Sequence, residues 1–204
     1  LEANPGTVEV SRFQGFHQAG INRLSIGIQS FDDVCLQRLG RIHDGRQARA
    51  AIDAVRQAGF DNFNLDLMFA LPGQNLDGAM ADLDIALAFA PPHLSLYQLT
   101  LEPNTAFAQR PPPDLPDADQ VAAMEDPLRS RLQDAGLARY EISAHAKSGH
   151  AARHNLNYWR FGDYLGIGAG AHGKLTLPER GILRSTKPRN PEAYLTQALA
   201  DGAL

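Results

Sequence analysis

Cysteine is nearly absent: Cys35 is the only one in 204 residues. That excludes an internal disulfide framework and any metal cluster held by several cysteines of this chain. No apolar run approaches the roughly 20 residues that a membrane-spanning helix needs, and no signal-peptide pattern is visible. There is no basic block. Nineteen Lys and Arg stand against 23 Asp and Glu, a net charge of -4, which speaks against nucleic acid as the main partner. His150 and His154 come closest to a zinc-protease pair, but "GHAARH" lacks the Glu after the first His. These absences together fit a cytoplasmic setting. The chain is long enough for a sizeable core, as one domain or one and a piece. It opens on "LEANPG" without Met and closes on the helix-like "LADGAL", as expected of a fragment cut from a longer protein.

What is present is an alternation of strand-like and helix-like runs. "RLSIGIQ" (23–29), "FNLDLMFALPG" (63–73), "HLSLYQLTL" (93–101) and "ARYEISAHA" (138–146) read as strands. Between them, "FDDVCLQRLG", "RQARAAIDAVRQAGF", "LDGAMADLDIALAFA" and "DQVAAMEDPLRSRLQDAGL" read as helices, the last with an irregularity at Pro127. "RPPPDLPDAD" (110–119) is a loop and the expected hinge. This order predicts an α/β fold of parallel strands and crossover helices. Parallel strands buried on both faces should be apolar throughout, and these break the rule near their ends. Gln29 closes the first, Asn64 and Asp66 interrupt the second, Gln98 and Thr100 lie near the end of the third, and Glu2 would end an earlier one. Polar residues at successive carboxyl ends converge on one mouth in a barrel. An open parallel sheet gathers them too, so both remain open; any single one is ordinarily a loop cap, and it is their recurrence at four strand ends that points to a site.

The segment "HNLNYWRFGDYLGIGAGAHG" (154–173) contains G-x-G-x-x-G, but "KLTLPERG" follows where a helix should open, which sets a dinucleotide loop aside. A glycine-rich strand or bulge remains. A lone histidine is more often structural than a ligand, but His154 stands beside Asn155, Tyr158 and Trp159, a setting suited to an axial haem ligand. His43 reads as a loop residue, and Cys35, among Val34, Leu36 and Leu39, as a small packed hydrophobe.

The ordered stretches "EANPGTVE", "GINRLSIGIQSF", "LQRLGRIHD", "NFNLDLMFALPGQ", "LYQLTLEPNT", "YEISAHA", "HNLNYW" and "DYLGIGAGAHG" resemble the radical-SAM haem chaperones of the HemW family over nearly the whole chain. That family is related to the oxygen-independent coproporphyrinogen III dehydrogenases (HemN). "HNLNYW" is similar to the H-N-x-x-Y-W signature of the HemW branch. The resemblance implies a partial (β/α)6 TIM-type barrel over residues 1–109, followed by the start of a C-terminal α+β region over 110–204. It also implies S-adenosylmethionine (SAM), a [4Fe–4S] cluster whose ligands lie before Leu1, and haem as cofactors.

Carried over position by position, Glu2, Gln29, Arg41, Asp66, Thr100 and His172 match or lie near SAM contacts. His154, Asn155, Tyr158 and Trp159 form the haem segment, with His154 the ligand to the haem iron. His172 aligns near a position that is not histidine in the dehydrogenase branch. Arg41 suits a bidentate contact with the methionine carboxylate; its alternative is a surface ion pair with Asp44. The implied function is to hold haem or porphyrin and pass it to haem-accepting proteins, with peripheral membrane association only through those acceptors. Two other readings stay open. One is oxidative decarboxylation of coproporphyrinogen III. The other is a non-catalytic α/β domain whose polar strand ends hold a small metabolite.

Overall fold

The computed structural model describes residues 1–7 and 9–200, which form two compact units, Leu1–Ala151 and Ala152–Leu204. The first is built on a six-stranded sheet of order β1-β2-β3-β4-β6-β5. Its strands are β1 (Glu2–Ala3), β2 (Leu24–Gln29), β3 (Phe63–Phe69), β4 (His93–Gln98), β5 (Ala138–Arg139) and β6 (Ala144–Ala146). Strands β1 to β4 run parallel, joined by α1 (Val10–Gln18), α2 (Asp33–Arg38) with α3 (Gly45–Gln57), and α4 (Leu76–Ala88). After β4 come α5 (Ala106–Gln109) and α6 (Ala118–Asp134). Among the described residues β1 and β5 remain edges, so the sheet does not close on itself.

The sequence explains where the helices start. Asp44 accepts from the Gln47 amide at 2.7 Å while Gln47 accepts from the Asp44 amide at 2.9 Å, and Asp117 with Gln120 repeats this box at the start of α6. Asn75 caps α4 from the Gly78 amide. Pro127 lies inside α6 without ending it. Met124, Leu128 and Leu132, at a spacing of four, are buried and hold the helix through the proline.

Three expectations need correction. Residues 138–146 are not one strand, and they do not continue the parallel series. They fold back as β5 and β6, with β6 antiparallel to both β5 and β4. The bend is fixed by Tyr140 N–H donating to the Ala144 carbonyl and by Glu141 accepting from the amide and hydroxyl of Ser143. Because β6 returns beside β4, the first compact unit runs past the proline-rich loop to Ala151. Lastly, the glycine run is not a strand. Strand β7 begins at His172, and the preceding glycines make a turn in which Gly168 and Gly170 take φ of +102° and +72°.

In the second unit, α7 (Arg153–Trp159) precedes a hairpin of β7 (His172–Leu177) and β8 (Gly181–Thr186), then α8 (Pro191–Ala200). The backbone of Tyr164 bridges to that of Lys174. The Lys174 ammonium, 2% exposed, donates to Asp163 at 2.8 Å, to the Phe161 carbonyl at 2.9 Å and to the Thr176 hydroxyl at 3.1 Å. These bonds, with the two that Thr176 gives, hold the Asp163 carboxyl down to about pKa 2. No helix among the described residues is long and apolar enough to cross a membrane.

Candidate functional site

Successive side chains of a strand point to opposite faces, and here that alternation sorts chemistry. One face carries Leu24, Ile26 and Ile28 of β2, Phe63, Leu65, Leu67 and Phe69 of β3, and Leu94 and Leu96 of β4, all in the apolar core. The alternate positions are Ser25 and Gly27 of β2, Asn64, Asp66 and Met68 of β3, and His93, Ser95 and Tyr97 of β4. Glu2, Ser25, Asn64 and His93 stand side by side in one rung across four strands.

This second face ends in a cavity of about 510 Å³ lined by Glu2, Asn4, Gly27, Gln29, Arg41, Asp66 and their neighbours. Gln29 closes β2 at a bulge, with φ +68°, and is buried; its amide oxygen accepts from the Tyr97 hydroxyl at 2.7 Å. A non-glycine residue in this region costs about 1 kcal/mol or more, and here it turns an amide into the site. Below it, a Cβ on Gly27 would lie 3.0 Å from the Gln29 amide nitrogen and 3.2 Å from the Asn4 side-chain oxygen. Only glycine leaves that contact unforced.

Arg41 follows α2. The next residue but one, His43, is buried and pins this loop by donating from Nε2 to the Ile28 carbonyl at 3.1 Å; burial keeps its imidazole pKa below the usual value. The alternative pair of Arg41 with Asp44 does not form. Asp44 meets Arg46 instead, at 3.5 Å, and the Arg41 guanidinium makes no ion pair among the described residues.

Asp66 accepts from Ser25 Oγ at 2.9 Å and from Asn64 Nδ2 at 2.7 Å. Burial still raises its pKa, and the neighbouring Glu2 adds to the rise. Two carboxyl groups thus face one cavity with a single guanidinium. The arrangement favours a ligand offering cationic groups to Glu2 and Asp66 and an anionic group to Arg41.

The structure therefore brings four of the six expected residues, Glu2, Gln29, Arg41 and Asp66, to one cavity. It does not bring Thr100 there. Thr100 donates to Glu102 at 3.1 Å and lines a separate cavity of about 360 Å³ between β4 and α6. His172 belongs to the second unit, where it opens β7 and its Nδ1 meets the Thr186 hydroxyl at 3.4 Å.

The segment expected to hold haem forms α7. His154 and Tyr158, one turn apart, meet edge to face with ring centroids 4.8 Å apart, and Tyr158 leans on Tyr164 at 4.7 Å. His154 is exposed, and no hydrogen bond to a described residue ties up its ring nitrogens. Trp159 and Phe161, 57% and 58% exposed, extend the aromatic surface, and Asn155 is half-buried. An accessible imidazole amid exposed rings fits an axial haem ligand. The cluster is different. The single cysteine is buried, and burial together with Asp32 pushes its thiol up to about 12. Among the described residues no three His, Cys, Asp or Glu are gathered to hold a metal ion.

Sequence reasoning missed Ser25, Gly27, His93, Ser95 and Tyr97. The available signal was their period-two spacing, obscured by reading these strands as buried on both faces.

Comparisons with known proteins bear on the family and the fold. Residues 1–85 match the model of the Radical SAM superfamily. The chain is 55% identical over 195 residues to "Heme chaperone HemW" of Haemophilus influenzae and 53% identical to that of Escherichia coli, covering 96% of this chain and 51% of each relative. It is 45% identical to mouse "Radical S-adenosyl methionine domain-containing protein 1, mitochondrial", covering 85% of this chain and 40% of that one. The chain thus spans about half the length of the curated relatives it matches. Among solved structures, the radical-SAM enzyme coproporphyrinogen III oxidase (HemN) of Escherichia coli shares its fold. The TM-score is 0.80 at 21% identity, over 98% of this chain and 48% of that one. This α/β chain thus matches the radical-SAM superfamily over residues 1–85 and is HemW-like in sequence over 96% of its length.

Proposed function

We propose that the full-length parent is a haem chaperone. It holds haem on α7 through His154, delivers it to haem-requiring proteins in the cytoplasm, and binds SAM at the cavity where β1, β2 and β3 end. The observation that carries the haem part is the exposed His154 imidazole, free of hydrogen bonds to described residues and set among exposed aromatic rings. The names of the HemW relatives point the same way.

For SAM, the support is charge. The ligand carries two positive groups, ammonium and sulfonium, and one carboxylate. The cavity offers two carboxylates and one guanidinium. Asp66 and Glu2 suit the ammonium, the sulfonium or ribose hydroxyls, Arg41 the carboxylate, and the Gln29 amide a further polar group. Thr100 and His172 remain expectations carried by the family resemblance alone. Bound beside a reduced iron–sulfur cluster, SAM supplies one-electron chemistry. The cluster ligands are assigned to the part of the parent outside this chain, and the residues here bind and orient.

The test is a haem titration of the full-length parent followed at the Soret band, wild type beside His154→Ala. A wild-type band that shifts or vanishes in the variant supports the proposal. If neither protein binds haem, the proposal fails and coproporphyrinogen decarboxylation becomes the leading reading.

A further inference from the structure

Behind the SAM-facing cavity lies a chain of buried polar groups that its lining does not explain. His93 is 1% exposed and Asn64 3% exposed, on a sheet whose other face is apolar core. Asn64 Nδ2 donates to Asp66 Oδ1 and to Ser25 Oγ, both at 2.7 Å. Ser25 Oγ, in turn, donates to Asp66 Oδ2 at 2.9 Å. Both Asn64 amide hydrogens are thereby committed, and Asn64 Oδ1 must accept. It does so from His93 Nδ1 at 2.6 Å and from Ser95 Oγ at 3.2 Å. This fixes the His93 tautomer. Nδ1 carries the hydrogen, and Nε2, 2.7 Å from the Tyr140 hydroxyl, accepts from it.

The opposite direction is unfavourable at every step. With the hydrogen on Nε2, the Nδ1 lone pair would face Asn64 Oδ1 at 2.6 Å. Flipping Asn64 to relieve that would turn its oxygen onto the Asp66 carboxylate at 2.7 Å, acceptor against acceptor. Burial holds the His93 imidazole down to about pKa 3, so it stays neutral wherever the protein works.

We propose that His93 and Tyr140 are positioning residues for Asp66. Their one-way relay, Tyr140 to His93 to Asn64 to Asp66, keeps the carboxylate ionised and its remaining lone pairs turned to the cavity for a cationic ligand. The inference rests on reading that cavity as the SAM site.

The experiment uses the full-length parent with its cluster reconstituted. SAM affinity is measured by calorimetry from pH 5.5 to 8 for wild type, His93→Phe, His93→Asn and Tyr140→Phe. An asparagine amide can replace Nδ1 as donor to Asn64. His93→Phe should weaken SAM binding about tenfold and move the acid limb of affinity to higher pH. Tyr140→Phe should weaken it about threefold with a smaller move in the same direction. His93→Asn should restore both affinity and acid limb to near wild type. A fold defect alone lowers melting temperature without moving the acid limb. His93→Phe and Tyr140→Phe that keep wild-type affinity and acid limb overturn the relay. The tautomer gives a readout independent of SAM: nitrogen NMR of histidine-labelled protein should find His93 protonated on Nδ1, and an Nε2–H signal overturns the relay even where no SAM is bound. Failure of the wild type to bind SAM, with the Nδ1–H tautomer present, removes the cavity reading and the ligand role together while leaving the hydrogen-bond direction established.

Discussion

Strand β3 has two faces that obey different rules. Phe63, Leu65, Leu67 and Phe69 enter a core with β2, β4 and the helices, where burial of each large side chain is worth roughly 1.5–3 kcal/mol. Asn64 and Asp66 sit between them on the other side, in a hydrogen-bonded network that ends at a charged cavity. The first face rewards any apolar side chain of the right volume. The second requires particular donors and acceptors in particular directions, and it keeps a carboxyl group where burial disfavours its charge. Residues adjacent in sequence therefore answer to different demands: one face makes the fold, and the other lines a charged cavity.

The largest effect that would test this contrast comes from neighbouring substitutions. Leu65→Ala should cost about 2–5 kcal/mol of stability while leaving SAM affinity per folded molecule nearly unchanged. Asp66→Asn should change stability by about 1 kcal/mol or less, since it removes a carboxyl group that burial disfavours in its charged form, and should weaken SAM binding about tenfold or more. Urea denaturation and calorimetry on the full-length parent check both. If Asp66→Asn unfolds the protein and leaves the affinity of the folded fraction intact, the contrast between the faces is lost.

A smaller effect sharpens it through pH. Burial lowers the imidazole pKa of His43, His93 and His145 below 6.5. As pH falls below 6.5 the unfolded chain takes up protons that the folded chain refuses, so stability falls, by at most about 1.4 kcal/mol per pH unit for each histidine. Asp66 and Asp82 act with the opposite sign. Their raised pKa lets the folded chain take protons first, which offsets part of the loss nearer the carboxylate range. His93→Asn should flatten the fall in stability between pH 6.5 and 5, whereas Leu65→Ala should shift the curve without changing its slope. Equal slopes for wild type and His93→Asn would contradict the burial of a neutral imidazole on the polar face.

Much of this was legible in the sequence. The order of β2, β3 and β4 with α3 and α4 follows from apolar runs and stop signals, and Glu2, Gln29 and Asp66 stood out as polar groups near strand ends, whereas Arg41 was singled out by the family resemblance alone. Helix α1 escaped because Val10–Gln18 buries only Phe13 and carries Gly15 in its interior, which leaves little apolar stripe to detect. The break between β5 and β6 escaped because a side chain, Glu141, closes it within a run that otherwise suits a strand. His93 and Tyr140 escaped for a deeper reason. Asn64 lies 29 residues from His93 and Tyr140 lies 47 residues from it, and a relay assembled across strands leaves no local pattern.

The central claim is that the polar face forms a binding site for a ligand bearing two positive groups and one carboxylate. Its most direct test is Arg41→Ala in the full-length parent, with SAM affinity measured by calorimetry beside the urea midpoint. Arg41 makes no ion pair among the described residues, so stability should hold within about 0.5 kcal/mol while SAM affinity falls about tenfold. Unchanged affinity in a variant of unchanged stability would contradict the claim.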